Sequence, residues 1–203
     1  QDITLKPRLF NDNTLILQNE YRLKTKKSLT ILDSSITTGH DSSKLDKDDS
    51  RSHFFVNSKI DLNFKKFIKS SLEVNYEKVS NDNYLKLFNF IKSPLLLEDN
   101  SVLESVIKLV LDHDDFNLST SFEMYETLSG SNTDRYQYAL PTYNFSKSYE
   151  LDQINGSLNF GSYGNNTLRD TNILTSRLIN DLSFTSIDTF FDNGIIKNFK
   201  ILT

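Results

Sequence analysis

The sequence predicts an all-β protein, an antiparallel meander of about twelve strands forming part of a transmembrane β-barrel. Three observations predict it. Apolar and polar residues alternate with period two over segments of about ten residues, the spacing of strands with two unlike faces. The chain joins 15 Phe and 9 Tyr to only 37% hydrophobic residues and a mean hydropathy of -0.44, which suits sheets that are wet on one side. Only 3 Pro and 6 Gly interrupt 203 residues, fewer than a turn-rich sandwich of this length uses.

Taken in order, the first strand is expected near 2–10, closed by "NDN" at 11–13. In the second, 14–24, Leu15, Leu17, Tyr21 and Leu23 oppose Gln18, Glu20, Arg22 and Lys24. A third near 29–38 runs into "GHDSSKLDKDDS" at 39–50, the one stretch that reads as a long loop. Over 53–64, Phe54, Val56, Ile60, Leu62 and Phe64 oppose Asn57, Lys59, Asp61 and Asn63. Over 67–79, Ile68, Leu72, Val74 and Tyr76 oppose Lys69, Glu73, Asn75 and Glu77, so a tight hairpin joins these two. After "SNDN" at 80–83 a strand is expected over 84–91, and another over 102–111 before "DHDD" at 112–115. The clearest alternation is at 116–126, with Phe116, Leu118, Thr120, Phe122 and Met124 against Asn117, Ser119, Ser121, Glu123 and Tyr125. "SGSNTD" at 129–134 precedes strands at 136–146 and 151–162, and "GNN" at 164–166 reads as the next turn. The last strands are 172–186, where Leu174, Leu178, Leu182 and Phe184 oppose Thr175, Arg177, Asp181 and Ser183, and 195–203. No long-period repeat and no linker divides residues 1–203, which read as one partial barrel domain.

Charge and composition exclude several function classes. A net charge of -4 and a pI near 5.4 argue against nucleic acid as a partner, because phosphate neutralisation dominates that affinity. No cysteine is present, so neither a disulfide framework nor a thiolate metal site is expected. The opening "QDITLKPRLF" lacks the basic start and apolar core of a signal peptide, and no apolar run approaches the roughly 20 residues of a membrane helix. His40, His53 and His113 share no metal-ligand spacing, and the acidic loop holding Asp41, Asp46, Asp48 and Asp49 lacks the Gly and Glu of an EF-hand. With no "GxSxG" elbow and no phosphate loop, neither catalysis nor a cofactor is expected.

Strands of about 9 to 11 residues match a tilted crossing of the hydrocarbon layer, whereas soluble strands commonly stop at about 5 or 6. A barrel also accounts for ionic residues at mid-strand. Lys6, Arg8, Glu20, Arg22, Lys59, Asp61, Glu73, Lys108, Arg177 and Asp181 are the candidates for a polar lumen lining. Phe54, Ile60, Leu72, Phe116, Leu118 and Phe122 should then face outward, with Tyr136, Tyr138 and Tyr143 in an interfacial aromatic girdle. The competing readings are a soluble or surface-displayed β-rich binding module, adhesin-like, and an unrelated porin.

Several segments carry a family resemblance. "DITLKPRLFNDNTLILQNEYRLK" resembles a "D-x-T-hydrophobic-x-P" strand followed by a turn and an "NE-aromatic-R" strand, through Asp2, Thr4, Pro7, Asn19, Glu20, Tyr21 and Arg22. "VNYEKVSNDNYLKLFNF" at 74–90 resembles a "Y-x-x-VSD-x-x-Y" region with Asn81 where Asp is commoner. "DRYQYALPTYNFS" at 134–146 resembles a "Y-x-x-LP-x-Y" strand, and "TNILTSRLINDLSF" at 171–184 fits a strand that follows it. In this order they are similar to the barrel of the organic-solvent-tolerance (LptD) family of lipopolysaccharide-assembly proteins.

The resemblance implies a piece of an outer-membrane barrel, lacking the family's N-terminal jellyroll, its first barrel strand and its later strands. It further implies lipopolysaccharide as cargo, an LptE-like plug lipoprotein in the lumen, and an LptA-like periplasmic bridge reached through the jellyroll. Pro7 matches a proline beside the seam through which the lipid passes, and becomes the lateral-gate candidate, expected to weaken its hairpin by removing a ladder hydrogen bond. If the absent first strand runs outward, 2–10 runs toward the periplasm. Then 112–115 and 147–150 lie on the periplasmic side, and 92–101, 127–135 and 163–171 lie outside. The loop at 39–52 is the exception, long yet periplasmic.

Overall fold

The computed structural model describes residues 1–10, 14–41, 48–87, 93–95, 101–129, 135–169 and 172–203. Its strands are β1 (Asp2–Leu9), β2 (Leu15–Lys24), β3 (Ser28–Asp41), β4 (Asp48–Asp61), β5 (Lys69–Val79), β6 (Val102–Asp112), β7 (Phe116–Thr127), β8 (Tyr136–Leu151), β9 (Gly156–Arg169), β10 (Ile173–Ser186), β11 (Thr189–Phe190), β12 (Ile196–Lys197) and β13 (Lys200–Leu202). Eleven of them form one antiparallel sheet in the order β1-β2-β3-β4-β5-β6-β7-β8-β9-β10-β13, while β11 and β12 make a separate small hairpin. The sheet is not closed, and β1 is an edge paired only with β2.

Four expectations are corrected. Residues 84–87 form a single helical turn, α1 (Tyr84–Leu87), where a strand was expected over 84–91. The side chain of Asn81 takes the Asn83 amide at 3.0 Å and its carbonyl takes the Tyr84 amide at 3.0 Å, which winds the chain before a strand can start. Tyr84 and Leu85 are then buried side by side, a pattern that period two does not allow; residues 88–91 lie outside the described residues. The "GNN" segment is strand interior, not a turn. Gly164 is required there because the ring of its cross-strand partner Tyr143 lies where a Cβ would sit, 2.1 Å away. The reversal expected at 147–150 falls at 152–155, where Asn155 takes a left-handed conformation at φ 47. The final strand expected at 195–203 is broken into β12 and β13. The loop core at 42–47 and the turns at 11–13 and 130–134 lie outside the described residues.

Register fixes the two faces. In an antiparallel ladder directly paired residues share a face. Across β2 to β7 one such row reads Lys24, Leu29, Lys59, Glu73, Lys108, Ser121. The next row, one residue along, reads Ile60, Leu72, Leu109, Thr120, Tyr143, Gly164, Leu178 and belongs to the opposite face. Opposite the Leu140–Pro141 bond, which is cis, the register shifts by one residue, so the apolar face takes even residues of β8 before it, Tyr136 and Tyr138, and odd ones after it, such as Tyr143.

The apolar face is bare. Leu5 is 62% exposed, Ile107 52%, Phe122 49% and Leu178 64%. The whole chain exposes 13908 Å², against about 9,700 Å² expected for a compact monomer of this mass. Among the described residues a small core lies at one end of the strands, where Tyr84 and Leu85 of α1 pack with Ile16, Phe55 and Val79 of the polar face and with Leu103 and Leu128. To admit this segment the β5–β6 ladder ends at Asn75 and Val106. Beyond that point side chains replace the ladder. Glu77 Oε2 accepts the Glu104 amide at 2.9 Å, and the Asn75 side-chain amide donates to the Glu104 carbonyl at 2.8 Å.

Candidate functional site: two faces and a free edge

Counting by twos from the row through Lys59 places Lys6, Arg8, Glu20, Arg22, Lys59, Asp61, Glu73, Lys108, Arg177 and Asp181 all on the polar face. Some neutralise one another: Lys6 Nζ lies 3.6 Å from Glu20, Arg22 Nε contacts the same carboxylate, and Lys59 Nζ lies 2.8 Å from Glu73. Lys108, Arg177 and Asp181 are solvent-exposed. Phe54, Ile60, Leu72, Phe116, Leu118 and Phe122 share the opposite face.

Tyr136, Tyr138 and Tyr143 are on that apolar face too. Tyr136 and Tyr138 stack at 6.4 Å near one end of the strands, and Tyr143 covers Gly164. A second aromatic band at the other end, Phe67, Phe116, Phe145 and Phe160, runs edge to edge at 5.9, 6.0 and 6.2 Å. Apolar strand centres between two aromatic bands match the profile of a bilayer-facing wall.

Sequence reasoning missed two polar clusters. On the polar face, Gln18 donates to Asp33 Oδ1 at 3.2 Å, Ser35 Oγ bonds His53 Nδ1 at 2.6 Å, and the Tyr84 hydroxyl also reaches Ser35. His53 Nε2 lies 3.4 Å from Asp33, with both side chains fully buried. Here α1 is tied to the sheet, and burial pushes the Tyr84 hydroxyl above the usual phenol range. Ser35 has His53 and Tyr84 on its oxygen and is itself 4% exposed, so the group fastens α1 to the sheet. No spacing announces it, since Ser35 and Tyr84 are 49 residues apart.

The second cluster lies at the strand end beside α1. Arg135 donates both Nη atoms to Asp82 at 2.9 and 2.6 Å and Nε to Glu126 at 2.9 Å, and Glu126 also takes Lys78 Nζ at 2.8 Å. It clamps β5, β7 and the start of β8 to the segment before α1.

Pro7 is exposed on the edge strand, opposite Leu17. The Phe10 amide donates to the Thr14 carbonyl at 3.0 Å, so the hydrogen-bonded pairs of the first hairpin are those with even numbers. Consistently, the Thr25 amide bonds the Ser28 carbonyl at 2.8 Å, turning the odd residues of β2 toward β3. The nitrogen of Pro7 therefore points away from β2, to the free edge. The expectation that Pro7 weakens its own hairpin is corrected: the missing donor is lost to whatever pairs on the other side of β1.

Among the described residues no group of acidic, histidine or cysteine side chains is arranged to hold a metal ion, and no helix is long and apolar enough to cross a membrane. Comparison with protein-family models and with curated proteins finds no match.

Proposed function

We propose that this chain is part of the wall of an outer-membrane β-barrel that delivers lipopolysaccharide to the outer leaflet. The carrying observation is the segregation of the sheet: all ten ionic candidates on one face, and a bare apolar face bounded by aromatic bands on the other. A sheet so divided is stable with lipid outside and water or a polar plug inside, and exposed apolar area on this scale is avoided by soluble monomers. The sequence resemblance to the LptD family supplies the cargo, the LptE-like plug against the polar face and the LptA-like bridge. The chemistry of the barrel is passage, not reaction.

Loop lengths support an orientation. With 84–87 a helical turn, the long connections at 80–101 and 128–135 share one end with that at 42–47, and the shortest turns at 25–27, 113–115 and 152–155 share the other with 62–68 and with 187–199, which holds the β11–β12 hairpin. Barrels keep short turns on the periplasmic side, so β1 runs outward and the exception at 39–52 disappears. An outward β1 takes the place of the first barrel strand, which the resemblance leaves absent, so in this reading Pro7 lies on the seam, where an absent donor lowers the cost of strand separation.

The test is depletion of the complete protein in its own cells. Newly made lipopolysaccharide should stop reaching the outer leaflet while other barrels continue to assemble. Undiminished delivery would overturn the reading.

A further inference from the structure

At the short-turn end, the turns 25–27 and 62–68 enclose a cleft of about 430 Å³. Lys24, Lys26, Lys27, Lys59 and Lys69 line it, against one carboxylate, Asp61. Lys59 is taken up by Glu73 at 2.8 Å, but Lys24, Lys26, Lys27 and Lys69 have no ion pair among the described residues. Lys65 and Lys66 stand in the 62–68 turn beside it. This concentration of cations occurs in a chain of net charge -4. The next hairpin over is its opposite, with Asp112, Asp114 and Asp115, so the positive potential is confined to the corner formed by β2 to β5.

The cleft also has an apolar lining, with Leu29 from the polar face, Ile60 from the opposite one and Phe67 and Ile68 from the turn, the last 70% exposed. Free ammonium groups beside exposed apolar side chains suit a ligand that carries an anion beside hydrocarbon. Lysine acts on phosphate as a compact point charge with three rotatable donors and needs no bidentate geometry.

We propose that this cleft binds the phosphate group of an amphiphile at the rim of the sheet where its two faces meet. The site itself stands on the geometry above; that a membrane lipid supplies the phosphate rests on the barrel reading. Two sources share this chemistry, a phosphorylated glycolipid entering from the short-turn side and an anionic phospholipid of the adjoining leaflet.

The experiment uses the complete protein in non-ionic detergent and four probes: diphosphorylated lipid A, the same lipid stripped of phosphate, phosphatidylglycerol and inorganic phosphate. At least one phosphorylated amphiphile should bind about tenfold or more tightly than stripped lipid A, and the advantage should shrink as salt rises. The variant Lys24→Gln, Lys26→Gln, Lys27→Gln, Lys69→Gln should lose that advantage. A charge-matched variant at Lys86, Lys147, Lys197 and Lys200 should keep it. The ratio of lipid A to phosphatidylglycerol affinity identifies the source. Equal binding of stripped lipid, an unaffected cleft variant, or equal loss in both variants would overturn the proposal. Failure of the barrel reading is seen separately, as a protein that stays monodisperse without detergent whatever it binds.

Discussion

A single proline shows how much of this account depends on direction. Residue type and position mark Pro7 as unusual in a strand, but only the hydrogen-bond phase of the first hairpin tells which neighbour loses a bond. That phase is set by the Phe10–Thr14 contact and is not written in residue spacing. The consequence is measurable. Pro7→Ala should leave the β1–β2 hairpin unchanged and, in the complete barrel, add a donor at the seam worth about 0.5 to 1.5 kcal/mol. Such a bias moves an opening equilibrium about two- to tenfold, so surface delivery of lipopolysaccharide should slow while folded barrel in the outer membrane is unchanged. Hydrogen exchange that slows at Gln18 and Glu20, the β2 residues bonded to β1, would place the new bond inside the hairpin and remove the gating role. Gly164 teaches the same lesson from the other side. In sequence it looks like punctuation, and only the ring of Tyr143 above it explains a glycine within a strand.

At the scale of elements, period two was sufficient wherever a strand has unlike faces. β2, β4, β5, β7 and β10 follow the alternation closely, and the hairpin between β4 and β5 turns through Asn63 at φ 50 near the expected place. The reading failed at 84–87, where apolar residues are dense enough to fit either period and an Asn81 turn with tertiary burial of Tyr84 decides. One misjudged element reverses every strand before it. In the proposed orientation, with α1 in place of a strand, the turn at 25–27 moves to the periplasmic side and the connection at 128–135 remains outside. A cysteine replacing Ser129 in the complete protein should therefore react with a membrane-impermeant thiol reagent on intact cells, and one replacing Lys26 should react only after the outer membrane is breached. The opposite pattern would restore the inward course of β1.

At the scale of the whole molecule, what the sequence made legible was the division of labour between faces. All ten ionic candidates and all six outward candidates fall where alternation puts them, because direct pairing carries each face from strand to strand and the one-residue shift in β8 is matched by both its neighbours. The buried fastening of Asp33, Ser35, His53 and Tyr84 and the clamp of Asp82, Glu126 and Arg135 were illegible, since both join residues far apart in the chain. The central claim is that the bare face meets hydrocarbon. It is tested most directly by placing a spin label at each position from 116 to 124 of the complete protein in bilayers and measuring its accessibility to oxygen and to a water-soluble nickel complex. Phe116, Leu118, Thr120, Phe122 and Met124 should be open to oxygen and closed to nickel, with Asn117, Ser119, Ser121 and Glu123 showing the lower oxygen values of a wet or plugged lumen. Nickel reaching the even positions as readily as the odd ones would contradict it.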